Sequence, residues 1–528
     1  MVKRRVGDSV DGGEVDGLPA VGGTAASTSR RWAMPLAVAA FGLLVAGLAI
    51  VALRPGDSTE NQSLFVDEPP SPAPVEQPTS QPTSEPTVSP TEAPVDQPTS
   101  EPEPTASPTE GPPDQAAPEP EVVGGPAQFL DRDGNLLGAA TVTEVDGLTV
   151  VLDPAGTDLV DLTLDQFDNW APWLSARAEG RLVDSLANDG LVLTTSIDPA
   201  AQALAEEAID AIQPDDDQNF SMTIVAMDPA TGSVIAAAGT NGMPTATVRR
   251  PLGSLYQMFV ASTAMQAIGM RTEDLVDGRG PCAVPSGDGT INQLENLGNS
   301  SGAIDTLRNQ MQRSSRCAFA RLIAFADGGP DSGTFDPASA LFPGSSAGPR
   351  RSPFEDLTTG PFFSPLEVAK ATLMFANEGL RSDAHSVTRV DGPLGPWVQD
   401  QSPFRVMSAD IACAMTSILV SVVETGTGTL AQLDDQPVAG KTGTIDDFTD
   451  AWFVGYTPDL ITVVWMGSIN PDEAVPMVDV DGQNVTGGSY PAMAFEHFNT
   501  NWHADRTSGE FPPCNEQLLL GDPPRAVI

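Results

Sequence analysis

An uncharged apolar run near the N-terminus separates a short leading segment from nearly all of the chain. Residues 32–53, WAMPLAVAAFGLLVAGLAIVAL, form a run of 22 residues, enough at about 1.5 Å per residue to cross the roughly 30 Å hydrocarbon layer of a bilayer. Basic residues precede it, whereas Arg54 beyond it is followed by Asp57 and Glu60. We therefore predict a single-pass transmembrane helix at 32–53, a cytoplasmic tail at 1–31 and an extracytoplasmic remainder. A cleaved signal peptide is the alternative, disfavoured because the run is long and lacks a small-x-small exit.

The segment that follows cannot build a core. Residues 55–125 consist mainly of proline, threonine, serine and glutamate, with an imperfect QPTS repeat. Such a composition buries too little apolar surface to offset the entropy of ordering, and its acidic charges repel one another. We predict a disordered linker with polyproline II character that spaces the next region from the membrane.

The charge balance excludes one class of partner. The formal net charge is -45, so nucleic acids and anionic surfaces, which need clustered lysine and arginine, are not expected to bind. Lysine is scarce, and only Lys3, Lys370 and Lys441 are present.

Four cysteines lie beyond the linker, an even number that permits two disulfides in an oxidising compartment. Three pairings are possible; we prefer Cys282 with Cys317 and Cys413 with Cys514, although the sequence alone does not decide among them. No C-x-x-C spacing is present, and the three histidines are not spaced as ligands on one helix face. We therefore expect no metal and no cofactor.

The remaining sequence predicts helices packed on a sheet. Residues 126–187 alternate apolar and polar residues around turns and predict a small lead-in module of short strands. After it, DGLVLTTSIDPAAQALAEEAI predicts a strand and a helix that begins at Asp198 and Pro199. The segment SMTIVAMDPATGSVIAAAGT predicts a β-hairpin, and DAWFVGYTPDLITVVWMGS predicts another pair of buried strands.

Three segments place polar residues in apolar surroundings: PLGSLYQMFV at 251–260, QRSSRCAFARL at 312–322 and AGKTGT at 439–444. The last resembles the end of a phosphate-binding loop, but that loop needs a glycine at 435, where the chain has Asp435. In order and type, the three resemble the S-x-x-K, S-x-N and K-T-G motifs of the serine acyltransferases that cross-link bacterial cell walls and are acylated by penicillin.

The resemblance extends over residues 188–513 and looks most like the transpeptidase module of class A penicillin-binding proteins. It rests also on FFSPLEVAKATLMFANEG and on VTGGSYPAMAFEHF. It implies an α+β fold of the penicillin-binding and serine β-lactamase type, with an antiparallel sheet, helices on its faces and an all-helical part. The segment before residue 190 is too short for the glycosyltransferase domain of that class, and residues 514–528 are interpreted as a C-terminal tail.

The resemblance also implies roles for individual residues. Ser254 would be the nucleophile and Ser314 the serine that relays its proton. Lys441, Thr442 and Gly443 would form the strand that binds the substrate peptide, and Thr444 would contribute a backbone N–H to the oxyanion hole.

Two positions depart from the motifs. Gln257 stands where the base lysine is expected, and an amide does not accept a proton at physiological pH. Arg316 stands where the asparagine is expected; it is interpreted either as a carboxylate-binding group or as a surface residue on a closed site. Loss of a general base typically costs about 10² to 10⁴ in rate.

These observations leave two hypotheses. The chain is either a membrane-anchored transpeptidase-type protein of peptidoglycan biogenesis that binds D-Ala-D-Ala stem peptides or β-lactams, or an inactive pseudo-transpeptidase. In the second case it is a wall-facing scaffold that binds stem peptides or other cell-wall synthesis proteins on the former substrate strand. In the first hypothesis Ser254 still becomes acylated, but slowly, because the usual base is missing; in the second it does not.

Overall fold

The computed structural model describes most of the chain beyond the proline-rich segment. The described ranges are 124–145, 148–152, 159–168, 186–214, 220–240, 246–285, 290–326, 352–393, 395–468, 474–507 and 509–515. The predicted cytoplasmic tail, transmembrane helix and nearly all of the linker lie outside these ranges. Within them, no helix is both long and apolar enough to cross a bilayer.

Short strands alternate with helices along the described chain. The strands are β1 Gln128–Leu130, β2 Leu136–Ala139, β3 Thr141–Val145, β4 Leu148–Leu152, β5 Val192–Thr195, β6 Phe220–Met227, β7 Val234–Gly239, β8 Arg250–Pro251, β9 Leu275–Asp277, β10 Cys282–Pro285, β11 Ile291–Leu294, β12 Ile304–Thr306, β13 Phe362–Phe363, β14 Leu380–Arg381, β15 Val387–Asp391, β16 Trp397–Val398, β17 Phe404–Arg405, β18 Ala439–Thr444, β19 Asp450–Tyr456 and β20 Ile461–Ser468. The helices are α1 Leu159–Asp168, α2 Pro199–Ile212, α3 Tyr256–Ile268, α4 Leu307–Gln312, α5 Arg316–Ala326, α6 Pro353–Thr358, α7 Pro365–Ala376, α8 Ala409–Thr425 and α9 Tyr490–His503.

The central layer is a five-stranded antiparallel sheet in the order β18-β19-β20-β6-β7. Its inner strands are apolar on both sides, because alternate residues enter two different cores. In β19, for example, Trp452 and Val454 contribute to one core, whereas Phe453 contributes to the other. The predicted hairpin and the predicted pair of buried strands are both confirmed in this sheet.

Helices cover both faces of the central sheet. Helices α2 and α9 pack on each other, and they contact β7 and β20 respectively. Helix α7 packs against β20 and β6 and belongs mainly to the other core, as does most of α8. Asp198 caps α2 by accepting a hydrogen bond from the backbone N–H of Ala200 at 2.9 Å, so the predicted helix start is confirmed.

A second, mixed sheet has the order β16-β15-β5-β1-β2. Strand β1 runs parallel to β5, and β15 pairs with β5 from the other side. The first strands of the predicted lead-in module therefore share a sheet with strands from within the predicted transpeptidase-like region.

A buried helix carries the first motif into the centre of the molecule. Helix α3 is buried along its first ten residues, on every side. A helix without a polar face is typical of a position inside the core. Helix α5 and the short helix α6 pack against α3, which gives the helical part of the α+β fold.

Candidate active site

The predicted nucleophile lies on a short turn that precedes α3. Gly253–Leu255 form one 3₁₀ turn, held because the backbone N–H of Leu252 donates to Pro361 and that of Gly253 donates to Thr359. Ser254 is 8% exposed, and its Oγ donates a hydrogen bond to the carbonyl oxygen of Thr442 at 3.3 Å. The side chain makes no capping bond, so Ser254 is not a helix cap. Its hydroxyl is directed to the K-T-G strand instead.

Gly253 allows this turn to approach the strand. Its φ is +54°, a left-handed conformation that glycine adopts without steric cost. A Cβ at this position would lie 2.6 Å from the carbonyl oxygen of Thr444. Only a residue without a side chain fits here, and the close contact positions Ser254 beside β18.

The second motif contacts the first through two hydrogen bonds between Ser314 and Gln257. Ser314 lies between α4 and α5, with φ +54°. Its Oγ donates to Oε1 of Gln257 at 3.3 Å, and its carbonyl oxygen accepts from Nε2 of Gln257 at 3.3 Å. Gln257 is fully buried. The residue that replaces the expected lysine therefore binds the predicted relay serine twice.

The third motif is the edge strand of the central sheet. All six residues of β18 are buried, and its partner on the inner side is β19. Nζ of Lys441 donates to Oγ of Ser314 at 2.5 Å and to the carbonyl oxygen of Thr442 at 2.9 Å. Lys441 and Ser254 thus share one acceptor, the carbonyl oxygen of Thr442.

The ammonium group of Lys441 is in an unfavourable environment. Its side chain has no exposed surface, and burial lowers its pKa from 10.5 to about 7. Among the described residues, no carboxylate lies within ion-pair distance of its Nζ. Lys441 is therefore partly neutral near pH 7.

Arg316, the first residue of α5, forms an ion pair with a residue just beyond β18. Its guanidinium contacts the carboxylate of Asp446, two residues beyond β18; 6% of the Arg316 side chain is exposed, against 44% of the Asp446 side chain. We call this pair the cleft bridge. Of the two roles left open for Arg316, a surface position is wrong, because the side chain is buried against an acidic partner.

The hydroxyl groups of β18 are bound by two other segments, the turn after α8 and the G-G pair after β20. Oγ1 of Thr442 lies 2.7 Å from Oγ1 of Thr427, and the N–H of Gly487 donates to Oγ1 of Thr444 at 3.1 Å. A Cβ on Gly487 would lie 2.6 Å from the carbonyl oxygen of Gly443. The G-G pair after β20 thus packs directly on the K-T-G strand.

The structure brings together Ser254, Gln257, Ser314 and Lys441, which are contributed by three segments of the chain. The sequence interpretation missed Asp446, although its position just after K-T-G-T and its charge opposite to that of Arg316 were available signals. It also missed Gly253, whose role depends on a backbone contact that no local pattern encodes.

Both disulfides lie outside this cluster of side chains. Cys282 is joined to Cys317, and Cys413 to Cys514, which are the pairs preferred from the sequence. Cys317 directly follows Arg316 on α5, so the first disulfide fixes the start of that helix to β10. The second connects α8 to the segment after α9.

Comparison with known proteins agrees with this geometry. A family model described as the penicillin binding protein transpeptidase domain matches residues 222–486, which include all three motifs. Penicillin-binding protein 1A of Mycolicibacterium smegmatis is 28% identical over 340 residues, covering 58% of this chain and 41% of that protein. The chain thus spans less than half the length of that relative.

Solved structures show the same fold. The penicillin-binding protein PonA1 from Mycobacterium tuberculosis aligns with a TM-score of 0.57 and 23% identity, over 71% of this chain and 98% of that chain. A structure of PonA1 in complex with penicillin V aligns with a TM-score of 0.56 and 22% identity, over 69% and 97%. The family match spans half of this chain and agrees with the α+β fold. The chain therefore belongs to the family of penicillin-binding protein transpeptidase domains.

Proposed function

We propose that this chain is a membrane-anchored protein of peptidoglycan biogenesis whose extracytoplasmic domain binds stem peptides ending in D-Ala-D-Ala, and β-lactams, in the cleft between β18 and α5. The observation that carries the proposal is the intact K-T-G edge strand, with Ser254 and Lys441 directed to the same carbonyl oxygen of Thr442. An extended peptide adds to such an edge through backbone hydrogen bonds. The complex of PonA1 with penicillin V supports a β-lactam as a second ligand.

The anchor is proposed from the sequence. The apolar run at 32–53 and the basic residues before it support a single pass with a cytoplasmic N-terminus. The proline-rich linker then extends the domain from the membrane towards the wall. Other cell-wall synthesis proteins are further proposed partners of this arrangement.

A second candidate function is that of an inactive scaffold. It is favoured by Gln257 in place of the base and by the cleft bridge, which connects α5 to the end of β18. In the peptide-binding function, we propose that the ligand carboxylate displaces Asp446 from Arg316. In the scaffold hypothesis the bridge stays closed, and partner proteins bind the outer surface.

Calorimetric titration of the full-length protein distinguishes these functions. We expect binding of a synthetic acyl peptide ending in D-Ala-D-Ala, competition by a penicillin, and no binding of the same peptide ending in L-Ala-L-Ala. Thr442→Val removes the hydroxyl that holds β18 against Thr427 and should weaken peptide binding by roughly fivefold, the effect of one hydrogen bond. Thr462→Val makes the same change in a buried strand remote from the cleft and serves as the control. Failure of both the D,D-peptide and the penicillin to bind would refute the peptide-binding function and favour the scaffold.

A further inference from the structure

The chain has few amines that could replace the missing base. Of its three lysines, Lys370 and Lys441 lie in the described part. Lys370 is on α7, and its ammonium is paired with the carboxylate of Asp165 on α1. Lys441 is the amine that contacts the predicted relay serine.

Lys441 forms a hydrogen bond with Ser314 and shares a hydrogen-bond acceptor with Ser254. Its Nζ is 2.5 Å from Oγ of Ser314 and 2.9 Å from the carbonyl oxygen of Thr442, which also accepts from Oγ of Ser254 at 3.3 Å. In the charged form, Lys441 donates to Ser314, and Ser314 donates to Gln257. In the neutral form, the lone pair of Nζ is positioned to accept from the Ser314 hydroxyl at the same short distance.

The surroundings of Lys441 favour the neutral form. Burial is the cause of its lowered pKa, and no ion pair offsets that burial among the described residues. The elements that contact β18, and the segments next to Ser314 and β18, carry these ionisable groups: Asp450 and Tyr456 on β19, Asp410 and Glu424 on α8, Arg313 and Arg316 beside Ser314, and Asp446 after β18. Arg316 and Asp446 neutralise each other in the cleft bridge.

We propose that Lys441 replaces the missing lysine as the general base for acylation of Ser254, with Ser314 passing the proton. The inference rests on the proposed function, since it concerns a ligand held in the same cleft. Ser254 donates to Thr442 in the structure, so its hydroxyl has to turn from that carbonyl towards Ser314 when the ligand enters.

The proposed step balances within the site and the ligand. Oγ of Ser254 forms a bond to the ligand carbonyl carbon while its proton passes to Ser314 and the Ser314 proton passes to Nζ of Lys441. The carbonyl electron pair moves to oxygen, which the N–H groups of Ser254 and Thr444 stabilise. The carbon–nitrogen bond then breaks, and the leaving nitrogen takes a proton back from Lys441 through Ser314. With a β-lactam, that nitrogen remains attached to the acyl group.

Covalent labelling of the full-length protein with a fluorescent penicillin tests this role. The protein is incubated with saturating probe between pH 5.5 and 9, and the first-order labelling rate is obtained from the fluorescence that stays on the protein in denaturing electrophoresis. Reversible binding is measured separately by fluorescence anisotropy. We expect the native rate to rise with pH about a midpoint near 7. This profile requires no substitution, so it tests the proposal even where a variant fails to fold.

Variants separate base catalysis from binding. Lys441→Arg does not lose its proton, so we expect the labelling rate at saturating probe to fall by about 10² to 10⁴. Reversible binding of this variant is measured in parallel, so that a change in affinity is separated from the loss of the base. Lys370→Arg makes the same change away from the cleft and should label as the native protein does. Ser254→Ala should bind the probe without becoming labelled.

Three results would overturn the inference while leaving the proposed function intact. These are reversible binding without labelling at any pH, a labelling rate independent of pH between 6 and 8, and labelling of Lys441→Arg within about threefold of native. Absence of reversible binding by the native protein would instead refute the proposed function itself.

Discussion

Replacing Gly253 by alanine tests how closely the serine turn is packed on β18. The glycine has φ +54°, and a Cβ there would lie 2.6 Å from the carbonyl oxygen of Thr444 and 2.9 Å from Cδ1 of Ile445. The left-handed conformation costs alanine about 1–2 kcal/mol. Accommodating the methyl group against packed neighbours adds about 1–3 kcal/mol. We therefore expect the free energy of unfolding to fall by about 2–5 kcal/mol.

Gly298 provides a matched control for the backbone cost. Its φ is +66°, and a Cβ there would meet no heavy atom within 4 Å. Both alanine substitutions restrict the unfolded chain in the same way, so this effect cancels between the variants. The difference between their free energies of unfolding, measured by urea denaturation, therefore isolates the collision with β18 at about 1–3 kcal/mol.

Ligand binding adds a second readout to the same pair. Gly253→Ala should also weaken penicillin binding, because Ser254 moves away from the strand, whereas Gly298→Ala should not. Equal losses of stability in the two variants, within about 0.5 kcal/mol, would refute the close approach of the turn to β18.

Three further predictions concern the cleft, the buried amine and the second disulfide. Asp446→Asn removes the ion pair with Arg316 and should tighten binding of a penicillin carboxylate by up to about fivefold in an anisotropy titration. Asp447→Asn makes the same charge change at the exposed neighbour, and an equal effect of this variant would contradict the prediction. The pKa of Lys441 is about 7 in the folded protein, against 10.5 for an unperturbed lysine, so the unfolded chain binds more protons between these values. The free energy of unfolding should therefore rise with pH across that window. Lys441→Met should lack this rise in urea titrations, and parallel pH profiles would argue against it. Cys413→Ser opens a loop with a sequence separation of 101 and should cost about 4–5 kcal/mol in urea denaturation, whereas a loss below about 1 kcal/mol would count against it.

The central sheet could be predicted from the sequence because its strands carry a strong local pattern of apolar residues. Segments such as ITVVWMGS are apolar on both sides, and this indicates a strand buried between two layers of helices. The cap at Asp198 is likewise a local signal. The order of the three motifs was enough to indicate the family, and the family match confirms it.

The site depends on contacts that local patterns do not encode. The sequence shows that Gln257 replaces a lysine, but not that both ends of its amide bind Ser314, because these residues meet only after α3 and α5 pack together. In the same way, the sequence assigned Lys441 to the strand that binds the substrate peptide but did not show its contact with Ser314. The structure places it fully buried against Ser314, where its charge is disfavoured.

The substitution at position 257 alters the electrostatics of the site as well as its chemistry. A lysine there would place a second ammonium beside Ser314, and two like charges near one hydroxyl destabilise each other. Gln257 keeps Ser314 bound through its hydroxyl and its carbonyl oxygen without adding charge. The buried cluster then holds one amine, Lys441, and desolvation acts on that amine unopposed. The change that removes the usual base is therefore also compatible with a remaining lysine that exchanges its proton near neutral pH.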